Sequence, residues 1–258
     1  MRLSDGAEAI RGDLPSSATR EVPVPVEAGD ALDTGIDRFS TLVMVRERLS
    51  TALRTTTTPV LTLGGDCGVS LASVEHAARQ HPADLAVVWL DAHPDLHTAD
   101  TSPSGAFDGM VLRAITGEGT DGLALTGDDR VPLDRVILAG TRDIDPAEAE
   151  LIEDRAVTNL SVDELNTPDA LLAAVRATGA SSFYLHIDLD VLDPAAIAGL
   201  ADLMPFGLSV EVLNRTITAL RGEFTLAGAT IAGFAPASPE AANDDLPTIL
   251  RIIGALTR

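Results

Sequence analysis

The sequence predicts an α/β fold, a three-layer α/β/α sandwich around a mainly parallel sheet. Short runs rich in β-branched residues alternate with segments in which apolar residues recur at helical spacing. The runs are apolar throughout, which is typical of parallel strands covered by helices on both faces. The chain has 258 residues, of which 45% are hydrophobic, enough to form one large core. We therefore expect residues 1–258 to form a single domain.

The predicted elements alternate along the chain. Strands are expected at 59–63, 85–90, 135–140, 183–188 and 228–234. Helices are expected just after the first of these strands and at 37–54, 146–155, 168–179, 209–220 and 246–256. The first thirty residues contain one strand-like stretch, 22-VPVPV-26, which its prolines restrict to a sheet edge or an extended segment. Ligands of such folds bind beyond the carboxyl ends of the strands, so a functional site is expected in the residues that follow them.

The net charge excludes several classes of partner. A formal charge of −21 and an isoelectric point near 4.3 describe a surface that repels phosphate backbones and acidic membranes. We therefore expect neither nucleic acid nor a membrane as partner. The same field attracts cations, such as metal ions or a guanidinium or ammonium substrate, although a well-solvated acidic surface is an equally simple explanation. The chain lacks a transmembrane-length apolar run and a signal-peptide pattern, so a cytoplasmic protein is expected.

Three motifs follow predicted strands. The only cysteine, Cys67, comes after the first strand, 91-DAHPD-95 after the second, and 188-DLD-190 at the end of 183-FYLHID-188. Residues two apart in an extended chain point the same way, so these motifs bring four carboxylates and one imidazole together. Two carboxylates 4 Å apart repel by about 4 kcal/mol at an effective dielectric of about 20, so the cluster needs protons or a cation.

A divalent metal is the simplest way to neutralise this cluster. Oxygen-rich ligands with one imidazole suit Mn²⁺, and one or two bound ions would lower the pKa of a water enough to supply hydroxide at neutral pH. The alternative is that the aspartates cap helices or accept hydrogen bonds from loop N–H groups. The occurrence of both 91-DAHPD-95 and 188-DLD-190 at strand ends favours the metal.

These motifs resemble those of the ureohydrolases, the family of arginase and agmatinase, which split a guanidino group to urea with two manganese ions. The run 64-GGDCG-68 resembles the family's Gly-Gly-Asp-His-Ser, 91-DAHPD-95 its Asp-Ala-His-x-Asp, and 186-HIDLDVLDP-194 its Ser-Phe-Asp-x-Asp-x-Leu-Asp-Pro. The likeness covers about residues 59 to 240. It implies the arginase/deacetylase-like fold, with a further strand in family members before the segment 5-DGAEAIRGDLP-15.

The resemblance also implies roles for the metal-ligating residues. Asp91 and Asp188 would bridge two ions. Asp95 and the residue at position 67 would complete one site, and His93 and Asp190 the other. The candidate metal ligands are therefore Cys67, Asp91, His93, Asp95, Asp188 and Asp190, with Asp95 also a candidate catalytic residue. His186 is a candidate for a supporting residue beside the ligands.

Substrate-binding residues are implied by a narrower likeness. The segment 140-GTRDIDPAE-148 is similar to a stretch of arginase whose last acidic residues recognise the substrate's α-amino group, here Asp145 and Glu148. On its own, however, the same pattern is an ordinary helix start. Ser102 and Ser104 stand where the family contacts an α-carboxylate, and His97 stands where arginase has Asn. Amino-acid substrates are therefore slightly favoured over agmatine.

Cys67 is the first departure from the family pattern, because the family usually has a histidine ligand there. A thiolate binds divalent ions but shifts the preference from Mn²⁺ towards Zn²⁺ or Fe²⁺. Three interpretations stay open for Cys67: a metal ligand, a small buried residue beside a single-metal site, or a nucleophile. The nucleophile needs a base, and His93 is already assigned to metal. Nω-hydroxyarginine hydrolases are ureohydrolases with Cys at this position, and 141-TRDID-145 resembles that branch too.

Two further departures concern catalysis and guanidinium binding. Asp108 stands where the family has a histidine that shuttles protons; an imidazole titrates near 6.5 and an ordinary aspartate near 4, so proton transfer should suffer. Ser238 stands where the family has a glutamate that holds the guanidinium, and a hydroxyl cannot make that bidentate ionic contact. Asp108 or Glu240 could supply the lost negative charge.

The sequence therefore predicts a metal-dependent hydrolase that releases urea or a substituted urea from an arginine-like or hydroxyarginine-like guanidino compound. The expected cofactor is Mn²⁺, one or two ions per chain, with other divalent ions as alternatives. The expected partner is a small cationic guanidino substrate, and the resemblance raises a homo-oligomer as a possible assembly. The alternative function is a catalytically impaired ureohydrolase-like protein that binds a metal or a metabolite. The specific substrate and pathway stay open.

Overall fold

The computed structural model describes residues 3–257 and contains one six-stranded sheet within them. The strands are β1 (Val60–Leu63), β2 (Leu85–Leu90), β3 (Val136–Ala139), β4 (Thr158–Leu160), β5 (Ser182–Asp188) and β6 (Thr225–Ala232). Their order across the sheet is β1-β6-β5-β2-β3-β4, and every neighbouring pair is parallel. The prediction of a parallel α/β sheet is confirmed.

Helices cover both faces of this sheet. They are α1 (Leu3–Gly12), α2 (Phe39–Leu53), α3 (Ser70–Gln80), α4 (Val111–Ile115), α5 (Pro146–Asp154), α6 (Asp169–Ala177), α7 (Val210–Glu223) and α8 (Pro239–Thr257). Buried apolar side chains of α1, α6, α7 and α8 share one hydrophobic cluster. Those of α2, α3 and α4 form clusters on the opposite face, and the partly buried Leu151 and Ile152 of α5 pack against one of these. The three predicted layers are therefore present. None of the helices described is long and apolar enough to cross a membrane.

The apolar runs form central strands because both of their faces are buried. All six residues of β2 are buried, and alternate residues face opposite sides of the sheet. Val88 packs in the first cluster, which contains residues of α1, α6, α7 and α8, and Trp89 packs in the second cluster, which contains residues of α3 and α4. In β5, Leu185 faces the first cluster and Tyr184 the second. A strand buried on both faces has no polar side to alternate with, which explains the continuous apolar pattern.

The structure differs from the predicted elements at several places. The short edge strand β4 was missed, because only one of its three residues, Leu160, is buried. Helices α1 and α4 were also missed. The stretch 22–26 belongs to no strand, which excludes the sheet edge but not the extended segment of the prediction; Val26 is almost fully exposed. Helix α8 begins at Pro239, earlier than the predicted 246, and continues through Pro247. Because proline is common in the first turn of a helix, Pro247 led to a predicted start that lies too late in the sequence.

The central position of β5 predicts a large stability difference between two leucines. Leu185 is completely buried, whereas Leu203 is 59% exposed. Leu185→Ala should lower the free energy of unfolding by about 2–5 kcal/mol, because it removes buried methyl groups and leaves a cavity. Leu203→Ala should change it by less than about 0.5 kcal/mol. Urea unfolding followed by circular dichroism measures both; equal midpoints for the two variants would contradict this assignment of the core.

Candidate metal centre

The acidic motifs meet at the carboxyl edge of the sheet. Strands β2 and β5 are neighbours whose registers pair Leu90 with Ile187. The next residues, Asp91 and Asp188, therefore lie side by side as the strands end. Cys67 approaches from a short 3₁₀ turn that follows β1. The predicted convergence of these motifs at one edge is what parallel pairing produces.

A first set of four buried residues could hold an ion at this edge. Cys67 Sγ lies 3.3 Å from Asp188 Oδ2 and 3.6 Å from Asp91 Oδ2. The fourth member is His186, whose Nε2 lies 3.5 Å from Asp91 Oδ2. Ligand atoms of all four residues lie within 4.8 Å of one another. This set therefore combines sulfur, nitrogen and carboxylate oxygen.

A second set shares Asp91 with the first. His93 Nδ1 lies 2.9 Å from Asp190 Oδ2 and 3.4 Å from Asp91 Oδ1. Asp91, His93 and Asp190 bring their ligand atoms within 4.8 Å of one another. Asp91 belongs to both sets, as expected of a bridging carboxylate, whereas Asp188 belongs only to the first. Two adjacent sets that share one carboxylate have the arrangement that a pair of ions needs.

Backbone N–H groups hold three of these carboxylates so that one oxygen of each faces the cluster. The amide of His93 donates to Asp91 Oδ1 at 2.7 Å, that of Ala92 to Asp190 Oδ1 at 3.0 Å, and that of Asp190 to Asp188 Oδ1 at 2.9 Å. The Oδ2 atoms approach Cys67 and the imidazoles, and Asp91 Oδ1 also lies 3.4 Å from His93 Nδ1. The aspartates do accept loop N–H bonds, as the alternative interpretation expected, but with only one oxygen each.

Asp95 lies outside both sets, although it was expected to complete the site of Cys67. Its backbone has φ +53°, in the left-handed region, and its side chain is buried. Its Oδ2 has no hydrogen-bond partner among the described residues. A buried carboxylate oxygen without a partner is unfavourable by at least 1–3 kcal/mol, on the order of an unmade hydrogen bond. This orphaned oxygen and the donor types of the two sets fit a divalent cation.

Burial and mutual repulsion raise the pKa of three of the carboxyl groups. Burial raises the pKa of Asp188, and the charges of Asp190 and Asp91 add to this rise. Burial and then the charge of Asp91 likewise raise the pKa of Asp95, and burial and Asp91 raise that of Asp190 to about 6. A divalent cation among these groups would reverse the shifts by stabilising the ionised forms.

The imidazoles and the thiol respond to the same field. Burial would lower the pKa of His93, but hydrogen bonds to Asp190 and Asp91 outweigh it and raise the pKa to about 12. For His186 burial is the larger effect, so its pKa falls in spite of the nearby Asp91. Burial, followed by the charges of Asp95 and Asp188, raises the pKa of the Cys67 thiol well above its ordinary value. Because a nucleophile must be a thiolate, this environment disfavours the nucleophile interpretation unless a cation is present.

Two neighbouring features fix the geometry of the cluster. Gly233 follows β6 with φ +82°, and a Cβ there would lie 2.2 Å from Asp188 Oδ1. Arg142 donates at 3.5 Å to Val191 O and Leu192 O, and at shorter range to four carbonyl groups from three different segments of the chain. The acceptors at shorter range are Asp190 O at 2.6 Å, Met204 O at 2.8 Å, Pro205 O at 2.9 Å and Gly140 O at 3.1 Å. Sequence reasoning missed Arg142, because nothing in the sequence distinguishes it from the other arginines between the two acidic motifs.

The predicted substrate residues Asp145 and Glu148 begin helix α5 as a capping box, so the helix-start interpretation holds. The amide of Asp145 donates to Glu148 Oε2 at 3.2 Å, and that of Leu96 donates to Oε1 at 3.0 Å. The buried imidazole of His97 joins them: Nε2 lies 3.0 Å from Asp145 Oδ2, and Nδ1 lies 3.1 Å from Thr101 Oγ1. Only about half of the Asp145 side chain is exposed.

The remaining predicted residues lie on loops and at a helix start. Ser102 Oγ and Ser104 Oγ are 3.4 Å apart and accept hydrogen bonds from nearby backbone amides. Asp108 is exposed at the start of a 3₁₀ turn, and its charge contributes to the raised pKa of Asp95. Ser238 Oγ accepts from the amide of Ala241 at 3.2 Å, so this residue caps the start of α8.

Comparisons with known proteins agree with this picture. The family model described as arginase family matches residues 6–249. Nω-hydroxy-L-arginine amidinohydrolase of Streptomyces lavendulae is 34% identical over 215 residues, which cover 83% of this chain and 74% of that protein. Arginase of Staphylococcus aureus strain MRSA252 is 29% identical over 209 residues, covering 77% of this chain and 67% of that one. The crystal structure of Entamoeba histolytica arginase in complex with L-ornithine is similar with a TM-score of 0.87, and the match covers 99% of this chain and 92% of that one. Because the sequence identity is only 20%, this likeness supports the fold alone.

The close approach at Gly233 predicts that Gly233→Ala weakens metal binding. The added methyl group would displace the Asp188 carboxylate and strain the left-handed backbone, so the affinity for Mn²⁺ should fall by roughly 10–100-fold. Isothermal titration of metal-free protein with Mn²⁺ measures this affinity.

Gly222→Ala, within α7, is the matched control. A Cβ at Gly222 meets nothing within 4 Å, so this variant should keep the wild-type affinity and gain roughly 0.5–1 kcal/mol of stability. Unchanged Mn²⁺ binding in Gly233→Ala would show that the position of Asp188 does not matter for the ion.

Proposed function

Because this chain belongs to the arginase family, we propose that it hydrolyses a C–N bond of a guanidino compound, giving urea or a substituted urea and an amine. The observation that carries the proposal is the pair of ligand sets that share the buried Asp91 at the carboxyl edge of the sheet. Such a centre suits a reaction that needs activated water and stabilisation of developing charge. The same family includes the relatives whose names specify arginine and Nω-hydroxyarginine as substrates.

The proposed cofactor is Mn²⁺, held by Asp91, His93, Asp188 and Asp190, with Cys67 and Asp95 as further ligands. Oxygen-rich donors support Mn²⁺, and the sulfur of Cys67 makes Zn²⁺ or Fe²⁺ the alternatives for the ion nearest to it. When bound, the ions supply Lewis acidity that activates water at neutral pH. The remaining steps depend on residues of the chain.

In the proposed reaction, the oxygen of water bonds to the guanidino carbon, the bond from that carbon to the substrate's alkyl nitrogen breaks, and this nitrogen leaves with a proton. Asp95 Oδ2 has no hydrogen-bond partner among the described residues, so where it does not ligate an ion it is suited to accept a hydrogen bond from the attacking water or from the guanidino group. Asp108 is exposed near Asp95 and is the proposed group that exchanges protons with solvent. Its negative charge would also attract a guanidinium.

The proposed substrate is an amino-acid-type guanidino compound. Ser102 and Ser104 present two hydroxyl groups 3.4 Å apart, suited to a carboxylate, and the half-exposed Asp145 is suited to an ammonium. Ser238 caps helix α8 and offers no negative charge to a guanidinium, which disfavours tight binding of free arginine. A hydroxyguanidine titrates at lower pH and needs less negative charge, so the hydroxyarginine-like class is preferred.

Product release tests the function. The Mn²⁺-loaded protein and an EDTA-treated control would be incubated with arginine, Nω-hydroxyarginine, agmatine and simple guanidino acids, and urea or hydroxyurea would be measured. Metal-dependent release from one compound would support the proposal and identify the substrate class. If the folded, metal-bound protein releases no urea or hydroxyurea from any compound, the result would instead favour the catalytically impaired, metal- or metabolite-binding alternative. Turnover that resists EDTA but is abolished by thiol alkylation would favour a cysteine nucleophile.

Asp108→His should raise the hydrolytic rate. An imidazole titrates near 6.5 and can give a proton to the leaving amine, so kcat should rise by roughly tenfold or more with the preferred substrate. Asp108→Asn is the matched control, since it removes the charge without adding a titrating group, and its kcat should not rise. Steady-state kinetics at pH 7 to 8 measure both variants. An unchanged kcat in Asp108→His would remove this residue from proton transfer.

A further inference from the structure

His186 has the environment of a metal ligand rather than of an ordinary core residue. It lies on β5, two residues before Asp188, and is completely buried. Its ring stacks on Trp89 with the centroids 3.6 Å apart and the planes 14° from parallel. Its Nδ1 lies 2.8 Å from Ser70 Oγ. The ring orientation is therefore fixed by a stacked neighbour on its face and a hydroxyl group at one edge.

The other ring nitrogen of His186 points at the carboxylates. Nε2 is buried and has no hydrogen-bond partner within residues 3–257, although it lies 3.5 Å from Asp91 Oδ2. When Nδ1 carries the proton and donates it to Ser70 Oγ, Nε2 carries a lone pair that faces the first ligand set. A ligating histidine has this arrangement, since its non-coordinating N–H is normally held by a second protein group. A buried nitrogen of this kind without any partner would be unfavourable.

We propose that His186 Nε2 is a metal ligand and that Cys67, Asp91, His186 and Asp188 together hold one divalent ion. This inference rests on the proposed metal dependence but adds a ligand from the interior of a strand. The set supplies one sulfur, one nitrogen and two carboxylate oxygens from four buried side chains within 4.8 Å of one another. The second set, Asp91 with His93 and Asp190, lacks sulfur. The first set should therefore prefer softer ions such as Zn²⁺ or Co²⁺, and the second should prefer Mn²⁺.

Binding of Co²⁺ to metal-free protein tests the proposal, because Co²⁺ reports on its ligands by absorption. His186→Phe keeps a ring against Trp89 but removes both nitrogens, and His76→Phe makes the same change at a histidine of α3 outside both sets. The wild type should show sulfur-to-cobalt charge-transfer absorption from Cys67. His186→Phe should lose that band and bind one ion fewer per chain by elemental analysis, whereas His76→Phe should match the wild type. The same band and stoichiometry in His186→Phe would overturn the proposal.

A measurement on the wild type covers the case in which His186→Phe fails to fold. In Co²⁺-loaded protein labelled with ¹⁵N-histidine, two imidazoles should show hyperfine-shifted ring N–H signals, one for each ligating histidine. His93→Phe should remove one signal and leave that of His186. A single shifted imidazole, lost in His93→Phe, would overturn the His186 ligand but leave the proposed function standing. A wild type that binds no Co²⁺, Zn²⁺ or Mn²⁺ would overturn both.

Discussion

Four buried carboxylates at one edge of a parallel sheet are the constraint on which the rest of the structure depends. Each pair at close range repels by about 4 kcal/mol at an effective dielectric of about 20, and the nearby thiol and two imidazoles do not supply enough positive charge to offset this. The fold nevertheless holds them firmly: backbone amides fix one oxygen of Asp91, Asp188 and Asp190, and Arg142 ties the chain after β5 to two other segments. Protons or a cation must offset the repulsion among groups that these hydrogen bonds hold together, and the proposed function requires the cation.

Much of the fold could be predicted from the sequence, because both signals that matter are local. Strands buried on both faces are apolar throughout, and helices with one buried face show their own period, so the five longer strands and most helices were predicted. The edge strand β4 has one buried residue and gave no such signal. At the site, the motifs were found because residues after parallel strands meet. The place of His186 was not predictable, since whether a strand residue faces a metal or a packed neighbour depends on Trp89, Ser70 and the sheet around it.

The three departures from the family pattern have different structural settings. Cys67 lies inside the buried cluster, where its sulfur can act as a ligand, and its raised pKa means that an ion would have to stabilise the thiolate. Ser238 has a structural role, since its hydroxyl group accepts a hydrogen bond from the amide of Ala241 at the start of helix α8. Asp108 is exposed and stands where the resemblance places a proton-shuttling histidine, so a carboxylate takes the place of an imidazole. The candidate metal ligands thus remain clustered with altered donor chemistry, while the positions that the resemblance assigns to the guanidinium and its leaving amine carry residues of a different character.

The strand order also determines when this centre can form during folding. Cys67 and Asp188 are 121 residues apart in sequence but lie 3.3 Å apart, and β1, which carries the Cys67 turn, is an edge strand paired only with β6, the last strand of the chain. Contacts of such long sequence separation form slowly, because the loop between them must close before they stabilise anything. During synthesis, β1 therefore cannot pair with β6 until almost the whole chain has left the ribosome. The complete ligand set is available only to finished chains, so ion capture would act as a late step that locks a chain whose sheet is already assembled.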